Sequence, residues 1–139
     1  MQNTKNILTT SNLSVGYTSN GKTISVAENL NLQFQEGKLI TLIGANGIGK
    51  STLLRTLTGI QKPLLGAVFL KKKDIQEYSS SELAQNLSIV LTEKLPSSLL
   101  TVYELVALGR QPYPNWVGKL APEDSKKITE AMQLTQIEH

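Results

Sequence analysis

Gly44, Ala45, Asn46, Gly47, Ile48, Gly49, Lys50, Ser51 and Thr52 spell the pattern G-x-x-x-x-G-K-[ST] between an apolar run and a helical one. The pattern asks for a strand that ends, a turn that only glycines allow and a helix that begins, which is the layout of a phosphate-binding loop. Glycines let successive N–H groups converge with no side chain in their way. Lys50 supplies a mobile cation for β- and γ-phosphates, and Ser51 offers a hydroxyl oxygen to Mg²⁺, a hard ion that prefers oxygen. The helix N-terminus adds partial positive charge. Residues 38–43 read as a buried strand, and residues 50–60 carry Leu53, Leu54 and Leu57 on one helical face before Gly59 and Pro63 stop the helix. The expectation is a nucleoside triphosphate held with Mg²⁺.

At 139 residues the chain can bury a real core. Fourteen Lys+Arg against eleven Asp+Glu give a formal charge of +3, and aromatic residues are 5%. Without a clustered basic face or stacking aromatics no nucleic-acid partner is expected. The one basic run, Lys71, Lys72 and Lys73, reads as a solvated turn. The absence of cysteine excludes disulfides and thiolate metal sites and fits a reducing compartment. Residues 1–6 lack an apolar signal core, and no run approaches the length of a membrane span. A soluble, cytoplasmic protein is expected, with any membrane role reached through a partner.

Ahead of the loop, residues 7–18 and 23–34 read as strands joined by Asn20 and Gly21, whose tolerance of positive φ suits a tight hairpin. Leu30, Leu32 and Phe34 alternate with polar neighbours up to a turn at Glu36 and Gly37. Beyond the first helix, residues 67–70 and 87–91 read as further strands, and Ser79 with Glu82 forms a capping box for a short helix. Thr101 with Glu104 is a second capping box, with Gly109 as the C′ stop. Pro122 at a first helical position, acids at Glu123 and Asp124, and Ile128, Ala131 and Met132 at i, i+3 and i+4 describe an amphipathic helix.

Several of these features together resemble the nucleotide-binding subunit of an ATP-binding cassette transporter. Asn46, Gly47 and Thr52 match that family's form of the loop, and Tyr17 lies where it places an adenine-stacking aromatic. Residues 101–110 look like the start of the helical subdomain in importer ATPases for iron-siderophore, haem and cobalamin. The resemblance implies a glutamine near the metal after Leu91, where this chain has Thr92 and Glu93; either could supply an oxygen. It further implies that the chain ends before the signature sequence, the catalytic glutamate and the switch histidine, so that no water-activating residue is assigned. His139 reads as a solvated terminal side chain rather than that histidine, and Trp116 and Arg110 as either lobe anchors or partner contacts.

The expected fold is α/β: a phosphate-loop NTPase core (38–95) behind an N-terminal antiparallel β-layer (1–37), with the beginning of a helical subdomain (96–139). What the resemblance implies is an ATP-binding subunit that works with integral membrane permease subunits and a second nucleotide-binding subunit, peripheral on the inner face of the cell membrane. A nucleotide-binding module without turnover and a soluble non-transport ATPase of the same superfamily are the alternatives.

Overall fold

The computed structural model describes residues 5–90, 100–113 and 120–137, which fall in two compact units, Met1–Tyr78 and Ser79–His139. The first unit is built around β1 (Asn6–Ser19), which forms the hairpin expected at Asn20 and Gly21 with β2 (Lys22–Leu30). Both turn residues have positive φ, 51° and 72°, the I′ geometry whose twist matches that of paired strands. Midway along its length β2 carries an extra residue: Val15 faces Ala27 while Gly16 faces Ser25, so Val26 has no opposite number.

One edge of β1 serves two partners in turn. Its second half pairs with β2, and its first residues pair with β3 (Gln33–Gln35). Between β2 and β3 the ladder breaks, and Thr10 repairs it: its hydroxyl donates to the Leu30 carbonyl and accepts from the Leu32 N–H, both at 2.8 Å. The Asn31 side-chain oxygen accepts from the Asn12 N–H at 2.9 Å beside it.

The other edge of β1 pairs with β4 (Leu65–Leu70), from Leu8 opposite Leu70 to Ser14 opposite Leu65. β4 turns into β5 (Lys73–Asp74) through Lys71 and Lys72, both at positive φ (51° and 70°). The lysine run is therefore a tight hairpin turn, and Lys73 sits 4.4 Å over the Tyr78 ring. The Asp74 carboxylate accepts from the Gln76 N–H and opens the 3₁₀ turn Ile75–Glu77.

α1 (Lys50–Leu57) packs on β1. Leu13, Val15, Val68 and Leu57 are buried, each worth about 1.5–3 kcal/mol relative to exposure. The expected stripe of Leu53, Leu54 and Leu57 is displaced by one position: Leu54 is half-exposed and Thr56 is fully buried. Thr56 tolerates burial because its hydroxyl donates to the Thr52 carbonyl at 2.9 Å. The helix stops where Gly59 turns left-handed, φ 76°, as expected. The chain then returns to β1: the Leu64 N–H donates to the Ser14 carbonyl at 2.8 Å, and the Gln61 side-chain amide donates to the Gly16 carbonyl.

The expected strands at 38–43 and 87–91 do not form among the described residues. Neither 38–43 nor 87–90 has a ladder partner there, and Leu39, Ile43 and Val90 are 97%, 87% and 96% exposed; Leu91 lies outside the described residues. A run apolar on both faces marks a strand to be covered on both sides, but its backbone bonds must come from neighbouring parallel strands, which arrive only by crossover connections.

In the second unit both capping boxes form, at Ser79 with Glu82 opening α2 (Ser80–Asn86) and at Thr101 with Glu104 opening α3 (Val102–Ala107). The Thr101 N–H and hydroxyl both donate to the Glu104 carboxylate, which holds its pKa below the ordinary value. Gly109 is not the left-handed stop expected of it, since α3 continues into a 3₁₀ turn, Leu108–Arg110. That turn delivers Arg110 to Asp124 in the first turn of α4 (Pro122–Leu134) at 2.7 Å, with the guanidinium 3.8 Å over the Tyr113 ring. Arg110 is thus an anchor within its own unit. The hydrogen bond from Arg110 is the main cause that draws the Asp124 carboxyl below its usual range, with the Ala121 N–H assisting and burial opposing. Ala107 and Ile128 are buried where α3 and α4 pack. Ser81 and Gln85 of α2 both donate to the Pro112 carbonyl. Trp116 and His139 lie outside the described residues.

Candidate phosphate site

Residues 44–52 leave the exposed segment and enter α1 through Gly49, which stands at the N-cap with φ 105° and offers no side-chain cap. Gly47 is also left-handed, φ 81°. The first bond of the helix is Leu53 N–H to the Gly49 carbonyl at 2.9 Å. The N–H groups of Lys50, Ser51 and Thr52 precede it and have no protein acceptor among the described residues. They form an open set of donors at the positive end of the helix dipole.

The Lys50 ammonium folds back over the loop and donates to the carbonyls of Gly44 and Ala45 at 2.6 and 2.7 Å. An ammonium has three donors, so one remains for an anion. Ala45 also accepts from the Ile48 N–H at 3.4 Å, which closes the first turn of the loop, while the Ile48 side chain is largely exposed. Asn46 and Ser51 are exposed and Thr52 is half-buried.

Gly49 rests on the β-layer. A Cβ there would overlap a methyl of Val26, the extra residue of β2, whereas a Cβ on Gly47 would meet nothing within 4 Å. Tyr17 stands directly opposite Ile24 on β1, two residues along β2 from Val26, and is 48% exposed. Val26 had no signal in the sequence, because a valine in a strand reads as ordinary packing. Thr92 and Glu93 lie outside the described residues.

No group of three or more His, Cys, Asp or Glu side chains that could hold a metal occurs among the described residues. Mg²⁺ does not need one, since it keeps several waters and binds through one or two protein oxygens together with phosphates. The exposed Ser51 hydroxyl beside the free N–H groups fits that habit. Likewise no helix among the described residues is long and apolar enough to cross a membrane.

The ferric enterobactin transport ATP-binding protein of Escherichia coli is 41% identical over 127 residues, 91% of this chain and 45% of its own length. The iron(3+)-hydroxamate import ATP-binding protein of Bacillus subtilis is 40% identical over 131 residues, 94% of this chain and 47% of its own. The chain spans about half the length of the curated relatives it matches. Among solved structures, a nucleotide-free ATP-binding cassette from an ABC transporter superposes with a TM-score of 0.72 at 28% identity, covering 97% of this chain and 56% of that one. The sheet and helices of both units are thus those of a partial phosphate-loop NTPase domain. Since the family profile described as ABC transporter matches residues 27–139 as well, the chain belongs to the ABC transporter family.

Proposed function

We propose that residues 44–52 bind ATP with Mg²⁺, and that the protein is the ATP-binding subunit of an importer that couples ATP hydrolysis to uptake of an iron-siderophore, haem or cobalamin type substrate. The observation that carries the reading is the open helix N-terminus at Lys50, Ser51 and Thr52, with a lysine folded over the loop beside it. The free N–H groups donate to phosphate oxygens without reorganisation, and Lys50 adds its remaining donor. Ser51 gives its hydroxyl oxygen to the metal, and Tyr17 stacks on adenine. Bound Mg²⁺ neutralises charge across the β- and γ-phosphates. Thr92 or Glu93 supplies a further oxygen on the metal side. The substrate class is supported by the names of the relatives, a ferric enterobactin transporter and an iron(3+)-hydroxamate importer. The membrane permease, a second nucleotide-binding subunit and a place on the inner face of the membrane belong to the same proposal.

The test is binding of a fluorescent ATP analogue with Mg²⁺ to the wild type and to Lys50→Ala. Loss of a charge-assisted contact predicts at least about tenfold weaker binding in the variant. Equal affinity in folded samples overturns the assignment. A second reading, binding without turnover by these 139 residues alone, is favoured by the exposure of residues 38–43 and 87–90. Phosphate release by residues 1–139 should then not exceed that of the Lys50→Ala form.

A further inference from the structure

We propose that Gln61 is a positioning residue that sets the angle of Tyr17 relative to the phosphate loop; the proposal rests on the adenine-stacking role given to Tyr17 above. The edge of β1 that faces β4 loses its backbone partner early. β4 begins at Leu65, opposite Ser14, and the last backbone rung is the Leu64 N–H to the Ser14 carbonyl at 2.8 Å. Carbonyls two residues apart on a strand point to the same edge, so the Gly16 carbonyl is the next acceptor along it. No described strand reaches that carbonyl. The Gln61 side-chain amide donates to it instead and extends the ladder by one rung.

The rung is confined. Gly16 is buried, and a Cβ on it would overlap the Ile24 carbonyl and the Leu64 side chain, so β1 passes tightly between β2 and the segment that follows α1. A buried carbonyl stripped of its donor carries a desolvation penalty. The Gly16 carbonyl also belongs to the peptide plane that ends at the Tyr17 Cα. That plane is rigid, so holding its oxygen fixes where the Tyr17 Cα stands and leaves only rotation about its N–Cα bond to aim the side chain. Pairing with Ile24 holds the residue on its other side.

Gln61 is itself tied to α1, because its N–H donates to the Arg55 carbonyl at 3.1 Å and Gly59 donates to Thr56 at 3.2 Å. The helix thus carries Lys50 and the free donors at its start, and the residue that supports Tyr17 is tied to its last turns. With Val26 under Gly49 as the second junction, base platform and phosphate donors are held in one register. A ligand with no base makes no use of that register.

The experiment compares Mg²⁺-dependent binding of ATP and of inorganic tripolyphosphate to the wild type, Gln61→Ala, Gln61→Glu, Tyr17→Ala and the double variant Tyr17→Ala/Gln61→Ala. Gln61→Glu keeps the side-chain size and removes the donor. Both Gln61 variants should weaken ATP about threefold, the size of one hydrogen bond's net worth, and leave tripolyphosphate unchanged. The double variant should bind ATP no more weakly than Tyr17→Ala. Equal losses for the two ligands, additive losses in the double variant, or no loss of ATP affinity overturn the proposal. If Tyr17→Ala itself spares ATP, the adenine reading of Tyr17 fails and the role of Gln61 falls with it. If Tyr17→Ala weakens ATP alone and the Gln61 variants do not, only the present proposal fails.

Discussion

Residues 13–15 and residues 38–43 are both rich in side chains that water disfavours, yet they end in opposite places. Leu13 and Val15 are completely buried in a laddered strand, while Leu39 is 97% exposed and its segment has no ladder partner among the described residues. The difference lies in where their partners are. β1 finds β2 across a two-residue turn, so its first ladder forms locally before β4 and α1 are added. A parallel core strand needs neighbours from distant parts of the sequence, and its own composition cannot provide them. An apolar run states how much cover a segment requires, not whether the cover is at hand.

The largest effect that would break this comparison is on stability. In the 139-residue chain, Leu13→Ala should cost about 2–5 kcal/mol by urea unfolding, because the wholly buried site leaves a cavity. Leu39→Ala should fall within about 0.5 kcal/mol, as surface changes do. Comparable losses would show that 38–43 is covered in solution.

A smaller effect separates the two left-handed glycines where the exposed segment meets the packed layer. Gly47→Ala should cost about 1–2 kcal/mol, the penalty for a left-handed non-glycine residue. Gly49→Ala should cost more, since its methyl would also collide with Val26, and Val26→Ala should restore part of that excess. Equal costs with no rescue would mean that the loop does not rest on β2.

The smallest effect belongs to the helical unit, which is held by side chains rather than by a ladder. The folded-state pKa of Asp124 lies below its ordinary value, so its contribution is fully present above the unfolded pKa and is lost as pH falls through the folded one. The stability difference between wild type and Asp124→Asn, followed by thermal unfolding, should therefore be flat near neutrality and shrink only below about pH 4. A difference that changes between pH 6 and 8 would assign the effect to another group.

What could be read from the sequence were the features written in neighbouring residues. Asn20 with Gly21, the two capping boxes, Gly59 and the glycine turn that opens α1 each act within a few positions, and each has the expected local form, while the strand expected ahead of that turn does not form among the described residues. Contacts across sequence distance were hidden. Asp124 reads as an acid suited to a helix start, and nothing marks it as the partner of Arg110 fourteen residues earlier. Thr56 is polar by residue type, and it lies in the buried stripe because its hydroxyl finds an acceptor in its own helix. Val26 and Gln61 touch the site's frame through a methyl and an amide whose targets are backbone atoms, and backbone atoms leave no trace in residue types.

The turn at Lys71 and Lys72 sets stability against solubility. Two lysines hold a geometry that Asn-Gly would adopt with less strain, at a local cost of about 1–2 kcal/mol each. The same two residues are among the fourteen Lys and Arg side chains that set the formal charge of +3. Replacing them by Asn and Gly would tighten the hairpin and bring the protein close to neutrality, where chains with exposed apolar segments attract one another. Lysine in a glycine's place keeps molecules apart at the expense of a slightly strained bend.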